Sequence, residues 1–171
     1  MKYYSKILVG LFFLAAMISC DDKFEGQIVR DSRPEIPVTF EGATTAGFNP
    51  YYTVAFNAGT GAIVIKINIP TDSKLKIKQV ENIVAGATSI NIASITAVSS
   101  IQYLTAPVVV NGTTYTLNSS ITEFNTKVTA ANRITAAPAA GAFAERAFQI
   151  RLRMDDDSFI IPVQCRIRVT P

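Results

Sequence analysis

Two runs of alternating apolar and polar residues near the end of the chain restrict its fold more than any other feature. In the first run the apolar residues are Phe148, Ile150, Leu152 and Met154. In the second run they are Phe159, Ile161, Val163, Cys165, Ile167 and Val169. Because successive side chains of a strand point to opposite faces, this period of two predicts two strands with one buried face each. Matching those faces places Met154 beside Phe159, across a loop at residues 155–158.

Similar but shorter runs occur earlier in the chain. A first strand is predicted at residues 36–40, and residues 52–56 alternate up to a loop at residues 57–61. The run after that loop has isoleucine at every second position: Ile63, Ile65, Ile67 and Ile69. We interpret the runs on either side of the loop as a hairpin, with Tyr52 facing the core.

The middle of the chain predicts further strands. Residues 74–78 alternate between lysine and apolar residues, and the alternation fails at residues 79–80, which predicts a bulge or the end of a strand. Residues 85–105 are interpreted as one or two short strands. The pair Asn111-Gly112 lies between β-forming residues and is typical of a type I′ turn, so it predicts a second hairpin.

One segment favours a helix. Ser120 and Glu123 have the spacing of a capping box, in which each side chain binds a free N–H of the first turn. Apolar residues follow at helical spacing: Ile121, Phe124 and Val128. This pattern predicts a short helix at residues 121–130, with a strand as the alternative.

Many short strands without a βαβ rhythm predict an all-β fold. We expect an antiparallel β-sandwich, immunoglobulin-like in its broad architecture, with a barrel as the alternative. Residues 36–171 are long enough for one domain with a sizeable core.

The N-terminus has the layout of a signal peptide. Lys2 and Lys6 precede an uninterrupted apolar run at residues 7–18. This run is shorter than the roughly 20 residues that a membrane-spanning helix needs. We therefore expect residues 1–19 to direct export and then to be removed.

The end of that segment resembles a lipobox, Met17-Ile18-Ser19-Cys20. The resemblance implies that Cys20 is acylated and becomes the first residue of the mature protein. Several acyl chains make such an anchor stable, whereas one chain gives only marginal attachment. The alternative is an ordinary secretory signal that happens to end near a cysteine.

An acidic patch follows the cysteine at residues 21–25 and includes Asp21, Asp22 and Lys23. It resembles the export signal of Bacteroidota surface lipoproteins, although any solvated tether can carry a similar stretch. The resemblance implies a lipid-anchored protein of the outer membrane that faces the cell exterior. Residues 20–35 are predicted to be the tether between lipid and domain.

Composition excludes several classes of activity. The chain contains no histidine, which excludes the usual Ser-His-Asp and Cys-His mechanisms and zinc sites that use imidazole. Elimination alone leaves three candidates for catalytic carboxylates: Glu81, Glu123 and Glu145. We therefore predict a protein that is not an enzyme and has no cofactor. Removing Lys2 and Lys6 reduces 16 basic residues to 14 against 13 acidic ones, and this balance does not favour nucleic acid.

Two further groups have simple structural interpretations. Cys165 occupies an apolar position of its strand, which favours a small buried side chain over a reactive nucleophile. Three successive carboxylates, at Asp155, Asp156 and Asp157, are potential calcium ligands. Their spacing does not match an EF-hand loop, so a solvated turn without metal is the preferred interpretation.

The polar face of the last two strands is the main candidate binding surface. Its predicted members are Gln149, Arg151, Arg153, Gln164, Arg166 and Arg168. Guanidinium groups match carboxylates and phosphates, but an ordinary solvated face is the alternative. Tyr51 points away from the core in its strand and is the candidate for stacking against a sugar ring.

Two functions remain open at this point. The first is a structural or interaction module that packs against other envelope proteins. The second is an accessory glycan-binding lipoprotein of a polysaccharide-uptake system, which rests on a resemblance of address and predicted fold. An exposed aromatic platform favours the glycan module, and a large apolar patch favours a protein partner.

Overall fold

The apolar faces seen in the sequence belong to two β-sheets. The computed structural model describes residues 36–45, 49–96 and 102–171. The predicted signal peptide 1–19, Cys20 and the export residues Asp21, Asp22 and Lys23 lie outside these residues. The strands are β1 Thr39–Phe40, β2 Tyr51–Ala55, β3 Ala62–Asn68, β4 Ile77–Gly86, β5 Val108–Gly112, β6 Thr114–Ser120, β7 Ala144–Met154, β8 Phe159–Ile160 and β9 Cys165–Thr170. The α-helices of the described residues are α1 Ala93–Thr96 and α2 Ile121–Lys127, and short 3-10 helices occupy Asn57–Gly59 and Ala130–Asn132.

The strands form an all-β sandwich, which confirms the predicted fold class. The smaller sheet has the order β1-β3-β6, and the larger has the order β2-β9-β7-β4-β5, with β8 on β7. The two sheets are separate, so the alternative of a single closed barrel is wrong. One pair departs from the antiparallel expectation, because β2 runs parallel to β9. The immunoglobulin-like character stays a prediction.

The core lies between the two sheets. Ile63, Ile65 and Ile67 of β3 are fully buried and belong to one apolar cluster with the inward side chains of β7. Aromatic rings fill one part of this cluster, where Tyr103 meets Phe148 edge-on at a centroid distance of 5.2 Å. Burial of this kind is the dominant favourable contribution to folding.

Both predicted hairpins are wrong, although the predicted faces are right. β2 pairs with β9 and β3 pairs with β1 and β6, so residues 57–61 carry the chain from one sheet to the other. Likewise β5 pairs with β4 and β6 with β3. Asn111 has a φ of 51°, but Gly112 does not have the positive φ that a type I′ turn also requires.

The helix is confirmed, with an earlier end than predicted. Ser120 caps it, since its Oγ accepts a hydrogen bond from the Glu123 N–H at 3.1 Å. Val128 already has extended backbone, with φ −113° and ψ 162°, so the helix stops at Lys127 rather than at residue 130. The three apolar residues that predicted the helix are all buried: Ile121, Phe124 and Val128.

The segments around β4 differ in how well they match their prediction. A register shift between Ile77 and Gln79 confirms the bulge that the broken alternation predicts. Of residues 85–105, the structure describes 85–96 and 102–105, and these contain no strand beyond the end of β4 at Gly86; α1 occupies residues 93–96 instead.

The last strand is interrupted, which changes the predicted register. Phe148 lies opposite Cys165, and Arg153 lies opposite Phe159, so the later segment contains one residue more than the β7 segment that it faces. The extra residue falls at the break between β8 and β9, which contains Pro162. Because one residue reverses the face of every side chain beyond it, Phe159 is exposed rather than buried beside Met154.

We predict that Ile65→Ala lowers the free energy of unfolding by about 2–5 kcal/mol, because truncation leaves a cavity in a fully buried site. Val64 is the matched control, since it is adjacent on β3 and 40% exposed. Val64→Ala should change the same quantity by roughly 0.5 kcal/mol or less. Urea unfolding followed by circular dichroism measures both, and equal losses would contradict the assigned faces of β3.

Candidate functional site

The predicted arginine surface exists as the outer face of the six-stranded sheet. Arg151 and Arg153 of β7 and Arg166 and Arg168 of β9 alternate with buried core residues. All four are partly exposed. They do not converge on one point, however. Arg166 and Arg168 of β9 form a first group beside the start of β7, and Arg151 and Arg153 form a second group near the end of β7.

Glu145 binds both arginines of the first group, Arg166 and Arg168. Its carboxylate accepts hydrogen bonds from Arg166 Nη1 at 2.8 Å and from Arg168 Nε at 2.9 Å. The Glu145 side chain is only 13% exposed, and register places Glu145 directly opposite Arg168. Hydrogen bonds between ionised partners are about twice as strong as neutral ones. We call these three residues the Glu145 cluster.

Aromatic rings enclose part of the Glu145 cluster. The Arg168 guanidinium lies 3.7 Å from the centroid of Tyr51 and 4.6 Å from that of Phe143. The hydrogen bond to Glu145 raises the pKa of Arg168, because it favours the charged form. Tyr51 is therefore on the outer face, as predicted, but its ring stacks against a guanidinium of its own chain.

The second group lies near the turn between β7 and β8. Asp157 contacts Lys78 Nζ at 2.7 Å and Arg153 Nε at 3.0 Å. The hydrogen bond from Lys78 is the largest cause of the lowered pKa of Asp157. Arg151 has a different neighbour, since its guanidinium lies 3.8 Å from the centroid of Phe159.

The two predicted glutamines play structural roles. Gln149 is 5% exposed, so its predicted place on a solvated surface is wrong. Its Nε2 donates to the Pro162 carbonyl at 2.7 Å, at the break between β8 and β9. Gln164 Oε1 accepts from the Ile90 N–H at 3.0 Å and holds the segment that precedes α1.

The three acidic candidates do not form a catalytic pair. Glu81 lies at a bulge of β4 near Arg151, and Arg151 is six positions from Glu145 along β7, a distance of about 20 Å. Paired carboxylates in glycosidases lie roughly 5–10 Å apart. Glu123 is in α2, where its carboxylate binds Ser119 and Lys127.

The aspartate turn has internal partners instead of converging on one point. Asp156 Oδ1 accepts from the N–H and the hydroxyl of Ser158, which lowers the Asp156 pKa. Asp157 pairs with Lys78 and Arg153. No group of three potential metal ligands occurs within the described ranges of the chain.

A polar cluster that sequence reasoning missed lies between β6 and α2. Tyr103 hydrogen-bonds Ser119, whose hydroxyl donates to Glu123 at 2.8 Å, and Lys127 donates to the same carboxylate at 2.6 Å. Burial raises the pKa of Tyr103 to about 12. Only the Glu123-Lys127 spacing of four in a helix was visible in the sequence.

Sequence reasoning also missed two aromatic residues of the outer face. Phe143 precedes β7 and is 53% exposed, and Phe159 is 44% exposed. Phe159 matched the apolar alternation of its strand, so only the break before β9 explains its exposure. Phe143 lies in a region without periodic signal.

Cys165 is fully buried on the inner face of β9, as predicted. Burial raises the pKa of its thiol to about 12. A thiol with this pKa is almost entirely protonated at neutral pH and is a poor nucleophile.

The outer face and its two groups of cations belong to an all-β sandwich protein. Comparison of the chain with family models, with curated proteins and with solved structures found no match.

We predict that Glu145→Gln lowers the free energy of unfolding by about 1.5–3 kcal/mol, because two partly buried guanidinium groups lose a charged acceptor. Asp157→Asn is the comparison, since that carboxylate is 56% exposed and should matter less. Chemical denaturation of both variants measures the difference. A larger loss for Asp157→Asn would contradict the structural importance of the Glu145 cluster.

We also predict a pH effect from Glu123. Its pKa in the folded chain is lowered from 4.5, chiefly by the Lys127 hydrogen bond and then by Ser119. A lowered pKa stabilises the fold above the unfolded value, and this contribution is lost as the pH falls below 4.5. In Glu123→Gln the free energy of unfolding should therefore decline less on acidification.

Ser119→Ala is the control for that measurement, because it removes the smaller of the two hydrogen bonds. Its decline with acidification should be intermediate between the unchanged chain and Glu123→Gln. Thermal unfolding across a pH series gives the three curves. Parallel curves would show that Glu123 does not contribute to acid sensitivity.

Proposed function

We propose that this chain is a lipid-anchored, non-catalytic binding or interaction module of the bacterial outer envelope, facing the cell exterior. The observation that carries the proposal is Met17-Ile18-Ser19-Cys20 directly after an apolar run. Acylation of Cys20 would attach the mature protein to the membrane. The acidic patch at residues 21–25 supports export to the outer surface.

The cysteine content of the chain supports the assignment of Cys20. There are two cysteines, and Cys165 is buried with a pKa of about 12. The folded sandwich therefore does not offer Cys165 to a modifying enzyme. Cys20 is the remaining candidate for acylation.

The arrangement of the domain agrees with a tethered module. Residues 36–171 form one compact unit, and its first strand begins at Thr39. The sixteen residues from Cys20 to position 35 can span at most roughly 55 Å. No helix of the described part is long and apolar enough to cross a membrane.

A non-catalytic role is supported by the chemistry of the described residues. The chain lacks histidine, and Glu81 of β4 lies beside a part of β7 that is about 20 Å along the strand from Glu145. Side chains that recognise ligands are present instead, in particular the exposed Phe159 ring beside Arg151. This pair also favours the second candidate function, an accessory glycan-binding lipoprotein of a polysaccharide-uptake system.

The test is intact-mass analysis of the protein purified from membranes, together with protease treatment of intact cells. We expect a lipid mass on the unchanged chain, its loss in Cys20→Ala and its retention in Cys165→Ala. Digestion of the unchanged chain from outside the cell should also occur, because the proposal places the domain on the surface.

Each contrary result has a definite meaning. An unchanged chain without lipid mass would refute the anchor and with it the proposed function. Lipidation without external digestion would refute the surface orientation and place the domain on the periplasmic side. If only Cys165→Ala lost the lipid mass, the lipid would be attached to Cys165, and the assignment of the anchor to Cys20 would be wrong.

A further inference from the structure

Strand β6 forms one edge of the smaller sheet, and within the described ranges no strand lies on its other side. Its seven residues pair with β3 in an antiparallel register that has no shift or bulge. At the usual rise of a strand, β6 is about 24 Å long. A regular edge of this length is a template on which another strand can pair.

The hydrogen bonds between β3 and β6 show which backbone groups face the free edge. Beyond one end of β6, the Ile69 N–H donates to the Thr113 carbonyl at 2.9 Å. Beyond the other end, the Ile121 N–H donates to the Gly61 carbonyl at 2.9 Å. Residues bonded to the partner strand alternate with residues that point away from it. The residues of β6 that bond to β3 are therefore Tyr115, Leu117 and Ser119.

The alternate residues of β6 point their N–H and carbonyl groups toward the free edge. Thr114, Thr116 and Asn118 do so, and their side chains are exposed on the outer face. Among the described residues, no backbone group outside the β3 ladder bonds to them. The free edge therefore offers three donors and three acceptors in a regular row.

The other edges of the two sheets are less suited to pairing. Strand β1 has only two residues, and β2 is bridged at Tyr51 by Thr44. Strand β5 is irregular at Asn111, where φ is 51°. Natural proteins protect edge strands by short length, irregular backbone, charge or covering segments. Strand β6 has none of these features.

Charge does not oppose the pairing of two copies of β6. The sequence has no charged residue between Glu81 and Glu123, so β6 has none. On β3, Lys66 lies opposite Thr116 and pairs with Glu41 at 3.4 Å. Two copies of β3 on either side of paired β6 strands would be about 14 Å apart. That separation exceeds the Debye length of about 8 Å at physiological salt, so the two Lys66 side chains repel only weakly.

We propose that two copies of this chain associate through β6, which pairs antiparallel with its counterpart about a twofold axis at Thr116. In this register Thr116 lies opposite Thr116 of the second copy, and Thr114 lies opposite Asn118. All the free N–H and carbonyl groups of the row are then bonded. On the inner face, Tyr115 of each copy lies opposite Leu117 of the other, and such cross-strand pairs stabilise sheets. The two smaller sheets become one six-stranded sheet.

The position of the axis follows from the ends of the free row. An axis at Leu117 would place Thr114 opposite Ser120. The Ser120 carbonyl is not free, because an N-cap carbonyl accepts the first hydrogen bond of its helix. An axis at Thr116 uses every free group and does not require Ser120. The inference goes beyond the proposed function, since it does not depend on the lipid anchor.

Disulfide cross-linking tests the register in membranes from cells that contain the full chain. In Thr116→Cys the two new thiols lie across the axis, with Cα atoms about 5.5 Å apart, which suits a disulfide. We expect a covalent dimer after oxidation with copper phenanthroline. Asn118→Cys is the matched control, because it is exposed on the same face. Its two copies are about 14 Å apart along the strands, so it should not cross-link.

Two results of this experiment would overturn the proposal. One is the absence of a covalent dimer in Thr116→Cys. The other is cross-linking of Asn118→Cys to the same extent or more, which would indicate random collision or another register. The native Cys165 does not compete for the disulfide, because it is buried.

Sedimentation of the full chain in detergent tests the hydrogen bonds. We expect a dimer for the unchanged chain. Thr116→Pro removes one N–H per copy at the axis and should raise the dissociation constant by about tenfold or more. Because that N–H points away from β3, the ladder within each copy should remain, as its circular dichroism spectrum will show. Thr116→Val is the matched control, since it keeps the N–H, and its dissociation constant should change by about twofold or less.

The outcomes separate the dimer from the proposed function. A monomeric unchanged chain, or equal dissociation constants for Thr116→Pro and Thr116→Val, would overturn the dimer. Neither result affects the lipid mass on Cys20, which is measured independently. A dimer without lipid mass would refute the anchor and leave the pairing of β6 in place.

Discussion

Strand β7 has a different environment on each of its two faces, and the rest of the sandwich depends on this asymmetry. Its inward side chains, from Phe148 to Met154, pack into the core against the isoleucines of β3. Its outward side chains include Glu145 and Arg153, each of which belongs to one of the two groups of charge on the outer face. Because β4, β8 and β9 all pair with β7, a shift of its register would move core residues outward and charged residues inward.

The sequence predicted which face each strand buries much better than which strand it pairs with. Ile63, Ile65 and Ile67 are buried as their spacing requires. The same alternating runs can be joined by a hairpin within one sheet or by a connection between two sheets. The two cases differ only in the backbone of a few loop residues. A five-residue loop or an Asn-Gly pair therefore does not identify the partner strand. The pairing of β2 with β9 depends on contacts across nearly the whole chain, which no local pattern encodes.

The candidate surface shows the same division between local and long-range information. Alternation placed the four arginines on one face, but it did not show which of them have partners. Glu145 has the same strand parity as Arg151 and Arg153, so its presence on that face was predictable. Its bridge to both Arg166 and Arg168 requires the antiparallel register of β7 and β9. The environment of Arg151 depends on Phe159, which is exposed only because the chain gains one residue before β9.

The parallel pairing of β2 with β9 also affects the order in which this protein folds. Tyr51 pairs with Arg166, and positions 51 and 166 are 115 residues apart. Contacts between distant parts of a chain have a high entropic cost of loop closure, so they form late and slowly. A ribosome delivers the chain with its N-terminus first. Since β9 is the neighbour that joins β2 to its sheet, β2 stays outside the sheet until this last strand of the described chain is in place.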